Sequence, residues 1–325
     1  MIDAHVGIDI AKNKFDVACL ALETPIKYRS FPNNPDGFEN MILWLEGELF
    51  CFEPHFCMEA TGRYGEQIAF FLNDSGFKIS MVNPTCIKNY ARSKLRRTKT
   101  DKIDSAIIAE YCLKESPAAW KPLAKDSRDL QQLSRELDHL KSILADEKSR
   151  AKAGTHIPTV KESIDSRLNF FEAQVKLLEG EINNIIEQNQ RLKDQKKLLL
   201  TIPGIGDTTA NGFLAEIPDI ARFKSAKQLV AFAGLVPRES TSGTLHNKPR
   251  LSKVGSSRIR KLLYMPTVSA KRYNPAIIAL CSRIEDKGKS KMVAIGAAMR
   301  KLLHIAYGVL KSGRPFNKRL HVLKA

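Results

Sequence analysis

The sequence predicts an α/β domain followed by all-α segments. A mixed sheet with covering helices is expected over 1–122, a helical hairpin or coiled coil over 123–200, and a mostly helical basic segment over 201–325. Three observations lead there. Short apolar runs alternate with helix-periodic stretches as far as about residue 122. Apolar residues then recur three and four apart over two long stretches. Finally, the net charge of +17 is confined to residues 248–325, where 19 Lys and Arg face two Asp and Glu; the other 247 residues carry 33 of each sign.

The elements follow in chain order. His5 to Asp9 is a short apolar strand, Ala11 to Lys14 a turn, Phe15 to Ala21 a second strand and Ile26 to Phe31 a third, so the sheet opens with antiparallel strands. Gly37 to Leu49 is expected to be helical, with Phe38, Met41, Ile42, Leu45 and Leu49 on one face. Phe56 to Met58 is a strand, Tyr64 to Leu72 a helix, Lys78 to Val82 a strand ending at Asn83-Pro84, and Asp101 to Leu113 a helix that Thr98 or Thr100 caps.

Leu130, Leu133, Leu137, Leu140 and Leu144 form one heptad seam. After a break at Gly154 and Pro158, Ile164, Leu168, Phe171, Val175, Leu178, Ile182 and Ile185 form another. The pattern fits an antiparallel hairpin, a coiled coil shared between subunits, or packing in one bundle. Beyond residue 200, Thr201 to Gly206 separates two apolar helical stretches. Ser225 opens another helix that ends near Gly234 and Pro237, and a polar loop from Arg238 to Ser257 precedes two basic helical stretches.

Composition excludes several classes. A hydrophobic content of 43% excludes wholesale disorder, and six cysteines in 325 residues, none in a C-x-x-C pair, exclude a disulfide scaffold or a zinc ribbon. Free buried thiols are expected. No run of about 18 apolar residues spans a membrane, and no basic stretch leads into an apolar one at the N-terminus, so a cytoplasmic protein without membrane contact is expected. The basic excess points to a polyanion, foremost nucleic acid.

Four carboxylates stand where a metal site can form. Asp9 ends the first strand, Glu59 ends another, and Asp101 and Asp104 share one side of a helix start. Strand ends and a helix terminus can converge on one sheet edge. Carboxylates there suit Mg²⁺, and phosphodiester chemistry commonly uses two such ions. Asp16 and Glu66 lie nearby, and spacing alone does not separate them from the four. Before Asp101 runs a basic stretch, Lys88, Arg92, Lys94, Arg96, Arg97 and Lys99, where a phosphate backbone would meet cations; a solvated face is the plain alternative.

Two features of the last segment also suit phosphates. The turn through Gly204 and Gly206 resembles a helix-hairpin-helix element, whose backbone N–H groups receive phosphates without reading sequence. The loop Ser240-Thr241-Ser242-Gly243-Thr244 lies among Arg238, Lys248, Arg250, Lys253 and Arg258. A serine hydroxyl there can attack phosphorus if it is activated and the cations neutralise the transition state.

Taken in order, Gly7-Ile8-Asp9-Ile10-Ala11-Lys12, Glu59-Ala60-Thr61-Gly62, Lys99-Thr100-Asp101-Lys102-Ile103-Asp104, Ile202-Pro203-Gly204-Ile205-Gly206, Ala231-Phe232-Ala233-Gly234-Leu235 and Ser252-Lys253-Val254-Gly255 resemble the DEDD transposases of the insertion-sequence family one hundred and ten, relatives of the Piv DNA invertase. The resemblance covers nearly the whole chain. It implies a RuvC-like domain of the ribonuclease H fold and makes Asp9, Glu59, Asp101 and Asp104 the Mg²⁺-binding tetrad. It also implies a C-terminal transposase domain whose essential serine precedes a glycine, here Ser242, with Ser240 two residues away. The implied partners are target and donor DNA, a non-coding bridge RNA and further copies of the chain, as a dimer or tetramer. Two other readings stand beside this one: a metal-only nuclease of the Holliday-junction type, and a non-catalytic nucleic-acid-binding scaffold.

Overall fold

The computed structural model describes residues 4–21, 25–60, 62–95, 100–238, 241–242, 245–246 and 250–318. The chain divides into two compact units, Met1–Pro122 and Leu123–Ala325.

The first unit is built on a five-stranded mixed sheet in the order β3-β2-β1-β4-β5. Its strands are β1 (Ala4–Ile10), β2 (Lys14–Ala21), β3 (Lys27–Pro32), β4 (Pro54–Glu59) and β5 (Lys78–Val82). β1, β2 and β3 pair antiparallel, whereas β4 runs parallel to β1 and β5 parallel to β4. Alternation gives each strand two faces. Val6, Ile8, Phe15, Val17, Phe56 and Met58 point to one face, where Phe38, Met41, Leu45, Ile68 and Leu72 cover them. Those side chains come from α1 (Pro35–Leu43), the turn that follows it, and α2 (Glu66–Asp74). Asn34 caps α1 through the amide of Gly37, where a Cβ would stand 1.9 Å from the Pro32 carbonyl oxygen, so only glycine fits.

The helix expected over Gly37 to Leu49 is shorter than its apolar pattern. α1 ends at Leu43, and residues Trp44–Glu48 form a π-helical turn. The wider turn still buries Trp44 and Leu45, so the pattern survives the change of helix type. On the opposite face of the sheet lie α3 (Pro84–Ser93), capped by Asn83, and α4 (Asp101–Glu115), capped by the Thr100 hydroxyl, which accepts from the Ile103 amide at 3.3 Å.

The second unit is helical: α5 (Lys125–Ala153), α6 (Pro158–Gln188), α7 (Gln190–Leu200), α8 (Asp207–Glu216), α9 (Ala226–Phe232), α10 (Ser257–Tyr273), α11 (Pro275–Asp286) and α12 (Lys291–Ser312). α5 and α6 pack antiparallel on each other within the chain. Leu130, Leu137 and Leu144 are buried along one seam, and Ile164, Val175 and Ile182 along the other. Ion pairs from Lys141 to Glu179 (2.7 Å) and Lys148 to Glu172 (2.9 Å) flank the seam. α12 has the apolarity of a membrane span over one 18-residue window, yet half of that window is buried, and its Ala298, Leu302, Leu303 and Ala306 belong to the core of the unit.

The stretch expected as a polar loop, Arg238 to Ser257, carries a short ribbon instead. β6 (Pro237–Arg238) pairs with β9 (Arg250–Leu251), and β7 (Thr241–Ser242) with β8 (Leu245–His246), both antiparallel. Two-residue strands leave no alternation to read, which is why the sequence pattern did not reveal them. The cysteines are free, as expected, but Cys86 is exposed rather than buried.

Candidate active site

The carboxyl ends of β1 and β4 set the first half of the site. Their register pairs Ile8 with Met58, so the next step along two parallel strands brings Asp9 beside Glu59 at the ~4.8 Å strand spacing. Both alternate with buried residues of the opposite face. Asp9 therefore lies on the same face as Gly7, and Glu59 on the same face as Cys57.

That face is covered by α4. A Cβ on Gly7 would stand 2.2 Å from the Ser105 carbonyl oxygen and 2.3 Å from the Ala109 nitrogen, so the helix backbone rests directly on β1. Cys57 packs with Ile107, Ile108 and Cys112 of the same helix. The helix direction is fixed at its other end: the ammonium of Lys14, at the start of β2, donates to Asp101 Oδ2 at 2.7 Å. Because β2 starts where β1 ends, the first turn of α4, with Asp101 and Asp104, lies at the same sheet edge as Asp9 and Glu59.

Asp16, which spacing did not separate from the four, is the buried carboxylate of the group, 2% exposed. It pairs across the β1–β2 register with Asp9 and accepts from Lys14 Nζ at 2.9 Å and from the Tyr28 hydroxyl. Lys14 thus bridges Asp101 and Asp16, and the two contacts, that to Asp101 first, push its pKa up. The hydrogen bond to Asp16 raises the Tyr28 phenol to about 12. Among the described residues, no three His, Cys, Asp or Glu side chains are arranged to hold a metal ion as they stand. The donor set itself fits a hard divalent cation, being all carboxylate oxygen, and Asp9, Glu59 and Asp104 are partly exposed and Asp101 exposed at the sheet edge.

The basic run before α4 is only partly described. Lys88 and Arg92 lie on α3, and Lys94 just after it stacks its ammonium over the Tyr90 ring at 5.4 Å. Arg96, Arg97, Thr98 and Lys99 lie outside the described residues.

In the second unit the backbone of Ser242 lies in β7, opposite Leu245. Its side chain, together with Ser240, Gly243 and Lys248, lies outside the described residues. The ribbon's base is described. Arg238 and Arg250 stand directly opposite each other, both exposed. Like charges in that position are destabilising, which an arriving anion would reverse. Arg258 is in the first turn of α10, which has no acidic residue there; a cation at a helix N-terminus again favours an anion nearby. Lys253 adopts a left-handed φ of 56°.

The glycine turn behaves differently at its two positions. Gly204 has φ 104°, and a Cβ there would stand 2.6 Å from that of Ala270, so it admits close packing on α10. Gly206 precedes α8 in open space. The first helical residue after it is Asp207, which pairs with Lys196 at 3.1 Å, so a carboxylate already occupies that helix end.

One arginine was missed from sequence. Arg260 Nη1 donates to the carbonyls of Ala233 (3.0 Å) and Gly255 (3.1 Å), tying together Ala231-to-Leu235 and Ser252-to-Gly255. A Cβ on Gly255 would stand 2.4 Å from the Phe232 carbonyl oxygen, so these two segments interlock backbone to backbone.

Comparison with known proteins shows the family. A family model described as "Transposase IS116/IS110/IS902 family" matches residues 196–282, and one for DEDD transposases of the IS110 type matches residues 6–154. The chain is 38% identical over 325 residues to the pilin gene-inverting protein of Moraxella bovis, covering 99% of this chain and 100% of that one. The pilin gene-inverting protein of Moraxella lacunata matches equally, at 38% over the same extent. The transposase for insertion sequence element IS1328 of Yersinia enterocolitica is 23% identical over 96% of this chain and 98% of its own. With matches running along its whole length, the chain belongs to the IS110 family of transposases, enzymes that act on DNA.

Proposed function

We propose that this transposase recombines DNA through a covalent phosphoserine at Ser242, assisted by two Mg²⁺ ions held at the Asp9, Glu59, Asp101 and Asp104 edge, with an element-encoded bridge RNA selecting the sites. What supports the reading is the strand register that sets Asp9 beside Glu59, together with the helix start that carries Asp101 and Asp104 toward the same end of the sheet. The strand order β3-β2-β1-β4-β5, antiparallel then parallel, supports a RuvC-like ribonuclease H fold for residues 1–122. Bound there, Mg²⁺ would offset the negative charge that gathers on the phosphate oxygens.

The chain's own groups do the rest. Ser242 Oγ attacks phosphorus. The Oγ–P bond forms as the bond to one deoxyribose oxygen breaks; the hydroxyl proton leaves Ser242, and the departing oxygen gains a proton. Arg238, Arg250 and Lys253 neutralise the phosphate flanks. Rejoining runs the same exchange backwards with a hydroxyl of the second duplex, so the number of phosphodiester bonds is conserved and no ATP is needed. The basic excess in residues 248–325 supports backbone contact. If pairing with the RNA supplies the sequence, the protein need read only shape and backbone. The α5–α6 hairpin is the proposed oligomer contact, since α6 exposes Phe170 and Leu177 one heptad apart.

A suicide DNA duplex incubated with the protein, Mg²⁺ and the RNA tests this. A protein–DNA adduct is expected, and it should vanish in Ser242→Ala but persist in Ser240→Ala. Free cleaved ends with no adduct would leave the metal-only nuclease reading standing. An adduct retained in Ser242→Ala would remove Ser242 from its role.

A further inference from the structure

Beside the base of the serine ribbon, the second unit holds a groove of about 1140 Å³. Its floor is apolar, formed by Leu235, Leu251, Val293 and Gly296. One side of α12 divides along its length: Met292, Val293, Gly296 and Ala297 face the groove from its first turns, and Arg300, Lys301 and His304 from the turns that follow. Arg250 and Lys253 complete the cationic rim.

Three observations say what fits. The groove is larger than the ~300–1,000 Å³ that small ligands occupy, so it suits a short segment of chain. Among the described residues, no carboxylate makes an ion pair with Arg250, Lys253 or Arg300. Burial first, then Arg300, Lys301 and Lys227, push the His304 pKa down; burial and Arg283 do the same to Lys301. Arg250, Lys253 and Arg300 therefore set a positive field above an apolar floor, and His304 enters it as a neutral ring. Finally, Arg238 and Ser242 are four residues apart, so the serine stands within ~14 Å of the ribbon base that walls the groove.

An intact duplex turns phosphates and sugars outward and keeps its bases stacked, so it offers nothing to the floor. An unstacked strand offers both a base face and a phosphate. We propose that this groove binds unpaired DNA nucleotides adjoining the phosphate that Ser242 attacks, with bases against Leu251, Val293 and Gly296 and phosphates on Arg300 and Lys301. The site of attack rests on the serine reading above; the binding of unpaired DNA does not.

The test measures fluorescence anisotropy of the full chain with a labelled single-stranded DNA octamer, the same sequence as RNA, and a duplex. Val293 is 53% exposed, so Val293→Glu places charge on the floor without opening the core. It should weaken octamer binding at least about tenfold, while duplex binding stays within about twofold. Arg300→Gln should reduce the slope of log affinity against log salt for the octamer by about 0.7, the value for one phosphate contact on a single strand. Thermal melting checks that both variants fold. Unchanged octamer binding in two folded variants would overturn the proposal, as would RNA binding tenfold tighter than DNA. If Val293→Glu loses octamer binding while Ser242→Ala still forms the adduct, the serine reading fails and the groove stands. If Ser242→Ala loses the adduct while Val293→Glu binds normally, the groove fails alone.

Discussion

The carboxylate edge of the first unit and the serine ribbon of the second are charged sites built on opposite plans. At the edge, Lys14 sits between Asp101 and Asp16, and α4 lies on Gly7 with no room for a Cβ. One lysine joins two of the carboxylates, and the backbone is held by close packing. At the ribbon, Arg238 faces Arg250 across two-residue strands, and Arg258 sits at a helix start without an acidic partner in that turn. A site held by close backbone contacts can be preformed and rigid, as metal ligands require. A site left positive gains stability only when a polyanion arrives. The difference suits a division in which one region holds cations and the other meets the DNA backbone.

The largest expected effect breaks the edge chemically. Asp9→Asn keeps the size of the side chain and removes its charge. Changing groups that merely support metal ligands commonly costs 10–100-fold, so losing a ligand should lower DNA cleavage by more than about 100-fold. The unfolding midpoint should change little, because Asp9 lies partly exposed at the strand end. Cleavage of a labelled duplex, measured beside a melting curve, checks both. Cleavage within a few-fold of the parent would remove Asp9 from the chemistry and leave the edge an ordinary sheet terminus.

A smaller effect breaks the edge mechanically. Gly7→Val pushes its Cβ into the Ser105 carbonyl, 2.2 Å from where that atom would sit. Overpacking of this kind costs about 1–3 kcal/mol, and for a unit of this size each kcal/mol shifts the midpoint by several degrees. Circular dichroism melting should show a transition lowered by at least about 4 °C. A glycine of the second unit offers the contrast. Gly206 stands in open space with an extended backbone, so Gly206→Ala should leave the midpoint nearly unchanged. If Gly7→Val melts like the parent, α4 does not rest on β1 as closely as these distances require.

How much of this was readable in the sequence differs between the same two regions. β1, β2, β4, β5 and α4 were legible because short apolar runs and a threonine cap, Thr98 or Thr100, mark them, and the seams through Leu137 and Ile182 were legible because heptads repeat. The role of Asp16 was not. Its partner Asp9 lies across a hairpin whose register depends on the turn between them, and spacing along the chain does not report register. A signal did exist: Lys14 and Asp16 are two apart on one strand and so share a face. The groove was hidden for another reason. Arg300 and Lys301 lie on α12, a helix dominated by core residues, and its apolar pattern masks these cations. Arg260 was missed because its partners are backbone carbonyls, which no side-chain pattern announces.

The smallest effect sharpens the ribbon. If Arg238 and Arg250 repel each other in the free protein, Arg238→Glu replaces repulsion with attraction across the same pair, worth about 0.2–1 kcal/mol. In a unit of 203 residues that moves the global midpoint by no more than about 2–4 °C, so the melt is a poor reporter. Hydrogen exchange is the better one, because a two-residue ladder opens locally and its amides follow that opening directly. Exchange at Arg238 and Arg250 should slow by up to about fivefold. The same variant removes a proposed phosphate contact, so the slope of log affinity against log salt for duplex DNA should become shallower by about 0.9. The two readouts must move in opposite directions: a firmer ribbon and weaker DNA binding. A ribbon that exchanges faster, or DNA binding that keeps its salt slope, would mean that the opposed arginines are not held apart for an anion, and the contrast with the closely packed carboxylate edge would lose its physical basis.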